Sequence, residues 1–343
     1  MRAKPVIAVD AMGGDDAPGH PVEGAVMAVR AGCEVRLVGH EDQLREELHR
    51  HRLAGDDAQR VVVVHAEEAV AMDDPPITPI RKKRKSSIRI AAQLVRDGEA
   101  DALVSAGNTG AAMIAAKMVM GTVEGVDRPA LAAALPNPKG HTVLLDVGAN
   151  IDSKPEHLLQ FAVMGSLFAQ EVVKTSSPRV GLLSIGEEDS KGTELTREVF
   201  QALETSGLNF VGNVEGSDVF KGTADVIVCD GFVGNVVLKS AESLADMVMT
   251  LLKEELGRGF RARIGGLLAR PAFVDFRRRT AYDEYGGAPL LGVKGGCFIA
   301  HGRATPKAMM SAILRATEYS EANVSSKISE RLAERQSQEA ALG

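Results

Sequence analysis

The stretch Ala102-Leu-Val-Ser-Ala-Gly-Asn-Thr-Gly-Ala111 joins a short apolar run to a turn rich in glycine and side-chain hydroxyl groups. The run has the length of a buried strand, and the residues after the turn read as a helix. Similar runs recur between helix-like stretches, at residues 6–9, 35–38, 61–64, 143–145, 180–183 and 226–228. Because strands that alternate with helices form βαβ units, the sequence predicts an α/β fold with a mostly parallel sheet.

Four of these strands end directly in polar or glycine-rich turns that open a helix. The turns read DAMGGD from Asp10, SAGNTGA from Ser105, DVGAN from Asp146 and CDGFVGN from Cys229. In open α/β sheets, ligands bind outside the carboxyl ends of the strands. We therefore expect the four turns to share one edge of the sheet and to form one composite site. The candidate wall residues are Asp10, Gly13, Gly14, Asp15, Asp146 and Asn150.

The regular alternation stops after Leu251. Residues 251–285 combine a helix-like part, a glycine-punctuated amphipathic stretch and a run of arginines, and they predict a projecting helical arm. A strand at residues 297–300 then leads to a helix near Thr305-Pro306, since Thr suits the N-cap and Pro the first helical position. The polar end, residues 320–343, predicts a frayed surface helix. The whole chain, residues 1–343, is thus expected to be a single α/β catalytic domain carrying these two additions.

Composition argues against several classes of protein. The net charge is -6, aromatics make up 4% and Trp is absent, which disfavours a nucleic-acid binder. Three cysteines without CxxC spacing predict neither a disulfide framework nor a zinc site. The residues before the first strand lack the apolar stretch typical of a signal peptide, and no apolar run approaches the roughly 20 residues of a membrane-spanning helix. We expect a cytoplasmic protein that can associate peripherally with the inner face of the membrane, with no metal and no cofactor.

The turn at Ser105, Gly107, Asn108 and Thr109 is a candidate phosphate site. It follows a strand and enters a helix, so backbone N–H groups and two side-chain hydroxyls converge at a helix N-terminus. The alternative interpretation is a turn whose Ser and Thr only cap the helix. The usual nucleotide and hydrolase motifs, G-x-G-x-x-G after the first strand, G-x-x-x-x-G-K-[ST] and G-x-S-x-G, do not occur.

Two further loops offer groups for an oxyanion. Lys191, in the loop GEEDSKG, could meet a phosphate or a developing oxyanion as a point charge, although a solvated charged loop is the more common meaning of such a run. Asn235 could point its amide at a carbonyl. The nearby Cys229 is better interpreted as a buried strand cysteine than as a nucleophile, since no His is close in sequence.

Taken together and in this order, DAMGGD, SAGNTGA, LLDVGAN, IGEEDSKG, DVIVCDGFVGNV and YGGAPLLGV resemble the PlsX-type phosphate acyltransferases, over about residues 6–305. The resemblance implies a three-layer α/β/α, Rossmann-like fold akin to phosphotransacetylases and isocitrate-dehydrogenase-like proteins. It implies a homodimer that transfers a fatty acyl group from acyl carrier protein to inorganic phosphate and feeds a membrane glycerol-3-phosphate acyltransferase in phospholipid synthesis. At the matching positions it implies Lys191 and Asn235 as the catalytic pair and SAGNTG as the phosphate site.

Phosphate is already a competent nucleophile, so attack on a thioester requires positioning and charge relief rather than a Ser-His or Cys-His pair. His301 is a spare candidate for protonating the departing thiolate. Two alternatives stay open: a phosphotransacetylase-like enzyme that uses a CoA thioester, and a non-catalytic scaffold that binds acyl carrier protein or the membrane surface.

Two surfaces are candidates for partners. An acidic carrier protein requires a local basic face, and the available residues are Arg277, Arg278, Arg279, Arg81 and Lys82. A candidate membrane contact is the apolar stripe, spaced i, i+4, i+7 and i+8 and flanked by arginines, that consists of Phe260, Ile264, Leu267 and Leu268. Core packing or a dimer contact would produce the same stripe.

Overall fold

Short apolar strands and the helices between them build one sheet with helices on both faces. The computed structural model describes residues 4–280 and 286–342. The strands are β1 (Val6–Asp10), β2 (Glu34–Gly39), β3 (Val61–His65), β4 (Ala102–Ser105), β5 (Ala130–Asn137), β6 (Gly140–Leu145), β7 (Val180–Leu183), β8 (Phe210–Val214), β9 (Val226–Val228), β10 (Ala288–Leu291) and β11 (Gly296–Ile299). All seven apolar runs that the sequence predicts as strands of the βαβ units lie within these strands.

The helices connect the strands and cover the sheet. They are α1 (Gly19–Arg30), α2 (Glu41–His51), α3 (Asp56–Gln59), α4 (Thr78–Arg81), α5 (Ser87–Arg96), α6 (Thr109–Ala115), α7 (Pro155–Glu171), α8 (Glu194–Glu204), α9 (Gly231–Gly257), α10 (Phe260–Leu268), α11 (Arg270–Thr280), α12 (Pro306–Glu321) and α13 (Val324–Leu342). A π-helical turn, Ala116–Met120, continues α6, and a short 3₁₀ turn covers Asp218–Phe220.

Alternation along β1 shows how the three layers form. Ile7 and Val9 join the apolar cluster on the face covered by α1, α7 and α12, whereas Val6 and Ala8 join the cluster on the face covered by α5 and α6. Successive side chains of a strand point to opposite faces, so a strand that is apolar at every position is buried on both. The predicted α/β/α arrangement with a mostly parallel sheet is confirmed.

The direction of the strands differs from the sequence-based expectation. The order across the sheet is β3-β2-β1-β4-β11-β10-β5-β6-β9-β7-β8. Three neighbouring pairs, β11 with β10, β10 with β5 and β5 with β6, are antiparallel, and the other seven are parallel. After three reversals, β6, β9, β7 and β8 run opposite to β1, β4 and β11. The expectation that all four turns share one carboxyl edge is therefore wrong.

The central strands β5 and β10 cause this reversal, and neither has the sequence pattern of a typical strand. The strand β5 reads ALAAALPN, and alanine has a low preference for strands. The strand β10 contains Pro289, which cannot donate to a ladder and argues against a central strand. In the structure, β10 pairs with β11 through Ala288 and Pro289 and then changes partner to β5. A proline is tolerated at this position because the strand changes partner there.

The additions near the C-terminus differ in how they pack. The predicted arm boundary at residue 251 lies inside the long helix α9, and α10 and α11 follow as separate helices with largely exposed side chains. Residues 281–285 lie outside the described part of the chain. The last helix begins at Val324 rather than at residue 320, and its first turns are not a frayed surface segment. Val324 and Ile328 are fully buried there, one helical turn apart.

Candidate active site

Asp10 and Ser105, at the carboxyl ends of the neighbouring strands β1 and β4, form a buried polar pair. The Ser105 hydroxyl donates to Oδ2 of Asp10 at 2.7 Å and accepts from the Gly107 backbone N–H at 3.0 Å. Both side chains are buried, and burial raises the pKa of the Asp10 carboxyl above its ordinary value. Ser105 thus holds the SAGNTG turn against β1, and its hydroxyl is engaged by the protein.

Glycines allow three loops to meet at this edge of the sheet. A Cβ atom on Gly13 would lie 2.7 Å from the backbone nitrogen of Gly107, closer than side-chain contacts allow. Gly14 has a φ of 110°, and the next residue, Asp15, donates its backbone N–H to the Gly302 carbonyl at 2.8 Å. The loops after β1, β4 and β11 are therefore packed on one another, and His301 is brought beside the SAGNTG turn.

Asn108 is the N-cap of α6. Its side-chain oxygen accepts from the Ala111 N–H at 3.0 Å, and its side-chain nitrogen donates to the carbonyls of Met72 and Asp74, both at 2.9 Å. The amide therefore fixes the segment before α4 over the start of α6. The next residue, Thr109, is exposed, and it is the member of the turn that lines the cavity described below.

Asp146, at the carboxyl end of β6, organises the turn that follows it. Its two oxygens accept from four backbone N–H groups and from the side-chain nitrogen of Asn150, at 2.6–3.1 Å. The side chain of Asn150 also donates to the Pro129 carbonyl at 2.8 Å. Burial raises the pKa of Asp146, while these donors act in the opposite direction. Both residues are buried structural anchors of the DVGAN turn.

The first turn of α9 is pressed onto this anchor. A Cβ atom on Gly231 would overlap the Asn150 carbonyl oxygen, and one on Gly234 would overlap the Asp146 carbonyl oxygen. Asp230 caps the helix by accepting from the Val233 N–H at 3.0 Å. This close approach puts Asn235 next to Gly148, where a Cβ atom would lie 3.5 Å from the Asn235 side-chain oxygen. Asn235 is exposed toward the cavity.

A cavity of about 290 Å³ lies at the central strands β5, β10 and β11. Leu131, Ala133, Val147, Leu238 and Ile299 give it an apolar floor. Its polar lining comes from different motifs and consists of Thr109, Asn235, Lys239, Glu242 and His301. Three of the four turns, SAGNTGA, DVGAN and CDGFVGN, thus contribute to one cavity although they start from opposite edges, whereas DAMGGD contributes no residue to the lining.

His301 is oriented by its own loop. Its Nδ1 atom accepts from the Arg303 backbone N–H at 3.1 Å, so in the neutral imidazole the proton resides on Nε2. The side chain is exposed at the cavity. Nε2 is therefore the atom that can exchange a proton with a ligand.

Lys191 lies apart from the cavity lining. It is exposed in the loop between β7 and α8, where its N–H donates to the Glu188 carbonyl at 2.9 Å. Because β7 and β9 are neighbouring parallel strands, this loop and the start of α9 share an edge of the sheet. Cys229 is buried, with its Sγ 3.5 Å from the Asp146 carbonyl oxygen. Burial raises the pKa of its thiol well above the ordinary value, which fits a structural cysteine.

Sequence reasoning missed two charged residues of the site, Lys239 and Glu242. They follow Asn235 at i+4 and i+7 on α9, so all three share one side of the helix. The spacing is visible in the sequence, and a helical projection from Asn235 would have found them. The Lys239 Nζ donates to Glu242 Oε2 at 2.9 Å.

The candidate partner surfaces lie outside the cavity. Arg81 and Lys82 are exposed at the end of α4, whereas Lys83 is held by Asp74 at 2.6 Å. The side chains of Arg277, Arg278 and Arg279 lie outside the described residues. The stripe on α10 is exposed along its length and consists of Phe260, Ile264, Leu267 and Leu268.

The described residues contain neither a cluster suited to a metal ion nor a helix suited to span a membrane. In residues 4–280 and 286–342, no cluster of three or more His, Cys, Asp or Glu side chains is placed to hold a metal ion. Over the same ranges, no helix has both the length and the apolar character needed to cross a bilayer.

Comparison with known proteins identifies relatives along nearly the whole chain. The model of the family described as "Fatty acid synthesis protein" matches residues 6–327. A phosphate acyltransferase of Pelotomaculum thermopropionicum is 54% identical over 313 residues, which cover 91% of this chain and 90% of the relative. A phosphate acyltransferase of Trichlorobacter lovleyi is 50% identical over 329 residues, 96% of this chain and 94% of the relative.

Among solved structures, a phosphotransacetylase from Streptococcus pyogenes has a similar fold. The TM-score is 0.63 at 17% sequence identity, and the match covers 93% of this chain and 94% of the other. At that identity the likeness concerns the fold alone.

Proposed function

The chain belongs to the fatty acid synthesis protein family that includes the phosphate acyltransferases, and on this premise we propose that it transfers a fatty acyl group from acyl carrier protein to inorganic phosphate. The product, an acyl phosphate, enters phospholipid synthesis. One observation carries the proposal beyond family membership: Thr109 at the start of α6, Asn235 on α9 and His301 in the loop after β11 line a single cavity with an apolar floor. An apolar floor suits the acyl chain, and polar groups at one side suit the thioester and phosphate.

The reaction requires one bond to form and one to break. A phosphate oxygen attacks the thioester carbonyl carbon, and the tetrahedral intermediate then expels the thiolate of the carrier's prosthetic arm. Asn235 donates from its amide to the oxyanion, and the Thr109 hydroxyl positions phosphate. The proton lost by hydrogen phosphate is the one that the thiolate needs, and Nε2 of His301 relays it. The balanced products are acyl phosphate and free thiol.

Lys191 has a place in this scheme only if its loop approaches the start of α9. The loop and the start of α9 share an edge of the sheet, and the Lys191 side chain is exposed there. We assign Lys191 the stabilisation of the oxyanion together with Asn235, as a charge that arrives when the donor binds.

The test compares acyl donors and acceptors. Purified protein is incubated with acyl carrier protein loaded with a fatty acyl group, with the corresponding acyl-CoA, and with or without phosphate, while thiol release is followed. We expect rapid release only from the carrier-bound acyl group in the presence of phosphate. Equal or faster release from acyl-CoA would favour a phosphotransacetylase-like enzyme, and no phosphate-dependent release from either donor would favour a non-catalytic scaffold.

Docking of the acidic carrier is proposed at Arg81 and Lys82. The segment before α4 packs closely on the start of α6: a Cβ atom added to Gly110 would lie only 2.8 Å from Pro76. Arg81 and Lys82 follow this segment at the end of α4, so we expect the exposed cations to lie near the mouth that Thr109 lines. Arg81→Glu should raise the KM for the acyl-loaded carrier and make that KM less dependent on salt, because the variant loses an attraction that salt screens. Lys174→Glu, a charge reversal on an exposed loop elsewhere, should change neither. The arginines of residues 277–279 are a second candidate cluster.

Homodimerisation is proposed through the outer face of α9. Leu244, Val248 and Leu251 are spaced i, i+4 and i+7 and are exposed, as is Met247 between them. A contiguous apolar stripe of this kind usually meets another protein surface. Val248→Glu is expected to convert the dimer to a monomer in sedimentation equilibrium. A dimer of unchanged affinity would place the interface elsewhere.

Membrane contact is proposed through α10, because the exposed stripe there is flanked by Arg261, Arg263 and Arg270. An acyl phosphate is a reactive amphiphile, and release beside a membrane acyltransferase that consumes it would limit its hydrolysis. Flotation with anionic vesicles tests this role. Leu267→Glu and Leu268→Glu should each reduce flotation while the oligomeric state is kept, and flotation equal to that of the wild type would exclude this helix as an anchor.

A further inference from the structure

Three polar residues on one side of α9 face the cavity: Asn235, Lys239 and Glu242. Their spacing of four and then three residues aligns them along the helix, with about 6 Å between the first two along the axis. Asn235 marks the point where the thioester oxygen is expected. Lys239 therefore lies one turn away from the reacting carbonyl, on the same wall.

The position of this wall is fixed by backbone contacts. Gly231 and Gly234 bring the first turn of α9 into contact with Asn150 and Asp146, and Gly148 lies against Asn235. Asp146 is in turn held by five N–H donors. Because the first turn cannot rotate without overlap, the direction of Lys239 toward the cavity is set by the fold.

Lys239 brings a positive charge into a largely apolar cavity. Of the lining residues that the structure describes, Lys239 is the one lysine, and Lys191 is not among them. The ammonium is paired with Glu242, whose side chain is 16% exposed against 57% for Lys239. An i, i+3 pair on a helix surface contributes little to stability. Lys239, the more exposed partner, can therefore turn away from Glu242 when an anion of higher charge binds nearby.

We propose that Lys239 binds the phosphate substrate and that Glu242 is a positioning residue that holds the ammonium until phosphate displaces it. A phosphate group carries more charge than a carboxylate and presents several acceptor oxygens, so it competes well for a lysine point charge. The inference rests on the proposed function for the identity of its ligand, inorganic phosphate. It adds a cation that is already in the cavity, whereas Lys191 would have to move there.

The experiment measures binding before turnover. Inorganic phosphate is titrated into the full-length protein by calorimetry, and phosphate KM and kcat are then measured with the acyl-loaded carrier. Lys239→Met, which keeps the length of the side chain, should weaken phosphate binding by about 10- to 100-fold, the effect of one hydrogen bond to a charged group. Lys239→Arg should retain most of the affinity. Lys253→Met, an exposed lysine further along α9, is the matched control and should bind phosphate as the wild type does.

Glu242→Gln distinguishes this role from a structural one. Removal of the anion leaves Lys239 in place and relieves repulsion of phosphate, so the phosphate affinity should rise by about 3-fold or more. A purely structural ion pair would give both variants the same loss of stability and no change in phosphate affinity.

Opposite changes in phosphate affinity for Lys239→Met and Glu242→Gln support the inference. Equal affinities, or changes in the same direction, overturn it. Because binding is measured without an acyl donor, failure of the proposed function would appear separately, as a wild-type protein that binds phosphate but releases no thiol.

Discussion

Replacing Asp146 by Asn is the perturbation that bears most directly on how the site is built. The two oxygens of Asp146 accept five hydrogen bonds: Oδ1 from the N–H groups of Leu131, Gly148 and Ala149, and Oδ2 from the backbone and side-chain nitrogens of Asn150. An amide oxygen placed at Oδ1 keeps three of them. The amide NH₂ then faces two donors of Asn150, and no rotation of the side chain satisfies all five.

The magnitude follows from these two donors. Each buried donor left without an acceptor costs about 1–3 kcal/mol, so the pair costs about 2–6 kcal/mol. Burial raises the pKa of Asp146, which means that loss of its charge returns part of this cost. We expect the free energy of unfolding to fall by about 2–4 kcal/mol.

Urea denaturation at pH 7 measures this change, with Asp152→Asn, an exposed carboxyl in the same loop, as the control. The control should stay within about 0.5 kcal/mol of the wild type. Turnover of folded Asp146→Asn should fall as well, because the turn supports the start of α9. A variant as stable and active as the wild type would refute the view that Asp146 anchors the site.

Three further predictions concern separate parts of the site. Lys191→Ala and Asn235→Ala should each lower kcat by about 10²- to 10³-fold in folded protein, since each removes an oxyanion donor. Cys229→Ser is the control and should stay active. An unchanged kcat in Asn235→Ala would contradict the role assigned to Asn235. Gly234→Ala should destabilise the protein by about 1–3 kcal/mol and impair turnover, because the added methyl meets the Asp146 carbonyl; near-normal stability would argue against the tight contact.

Asp10→Asn tests the buried carboxyl: a pKa raised above 3.8 makes the wild type lose stability as the pH rises through the folded-state value. The neutral variant can still accept a hydrogen bond from Ser105, so its stability relative to the wild type should increase as the pH is raised from 4 to 8. Urea denaturation across this pH range measures the change. A stability difference between the two proteins that does not vary with pH would contradict the raised pKa.

The parts of the fold that could be predicted from the sequence are those where local chemistry and tertiary structure agree. The run at residues 61–64 is short and β-branched, and it lies within the strand β3 in the structure. Thr305 was expected to be an N-cap, and its hydroxyl accepts from the Ala308 N–H at 3.2 Å. The end of α13 nearest the core was predicted less well, because the isolated positions of Val324 and Ile328 in a polar sequence give a weak signal.

The direction of half the sheet could not be predicted, since it depends on pairing between distant segments. The alanine-rich β5 and the proline-containing β10 carry no local strand preference, and their antiparallel pairing decides which edge each turn occupies. The motifs identify the candidate residues, but only the contacts in the structure distinguish residues that hold the turn from residues that face the cavity. The side chains of Ser105 and Asn108 are engaged by the protein, whereas Thr109 faces the cavity.

The central claim is that phosphate itself attacks the thioester. The measurement that tests it most directly is parallel quantification of free thiol and acyl phosphate, by mass spectrometry, after mixing the protein with acyl-loaded carrier in the presence and absence of phosphate. The account predicts one acyl phosphate for each thiol released, and neither product nor an acylated protein without phosphate. Thiol release without phosphate, free fatty acid in place of acyl phosphate, or a stable acyl adduct on the protein would contradict it.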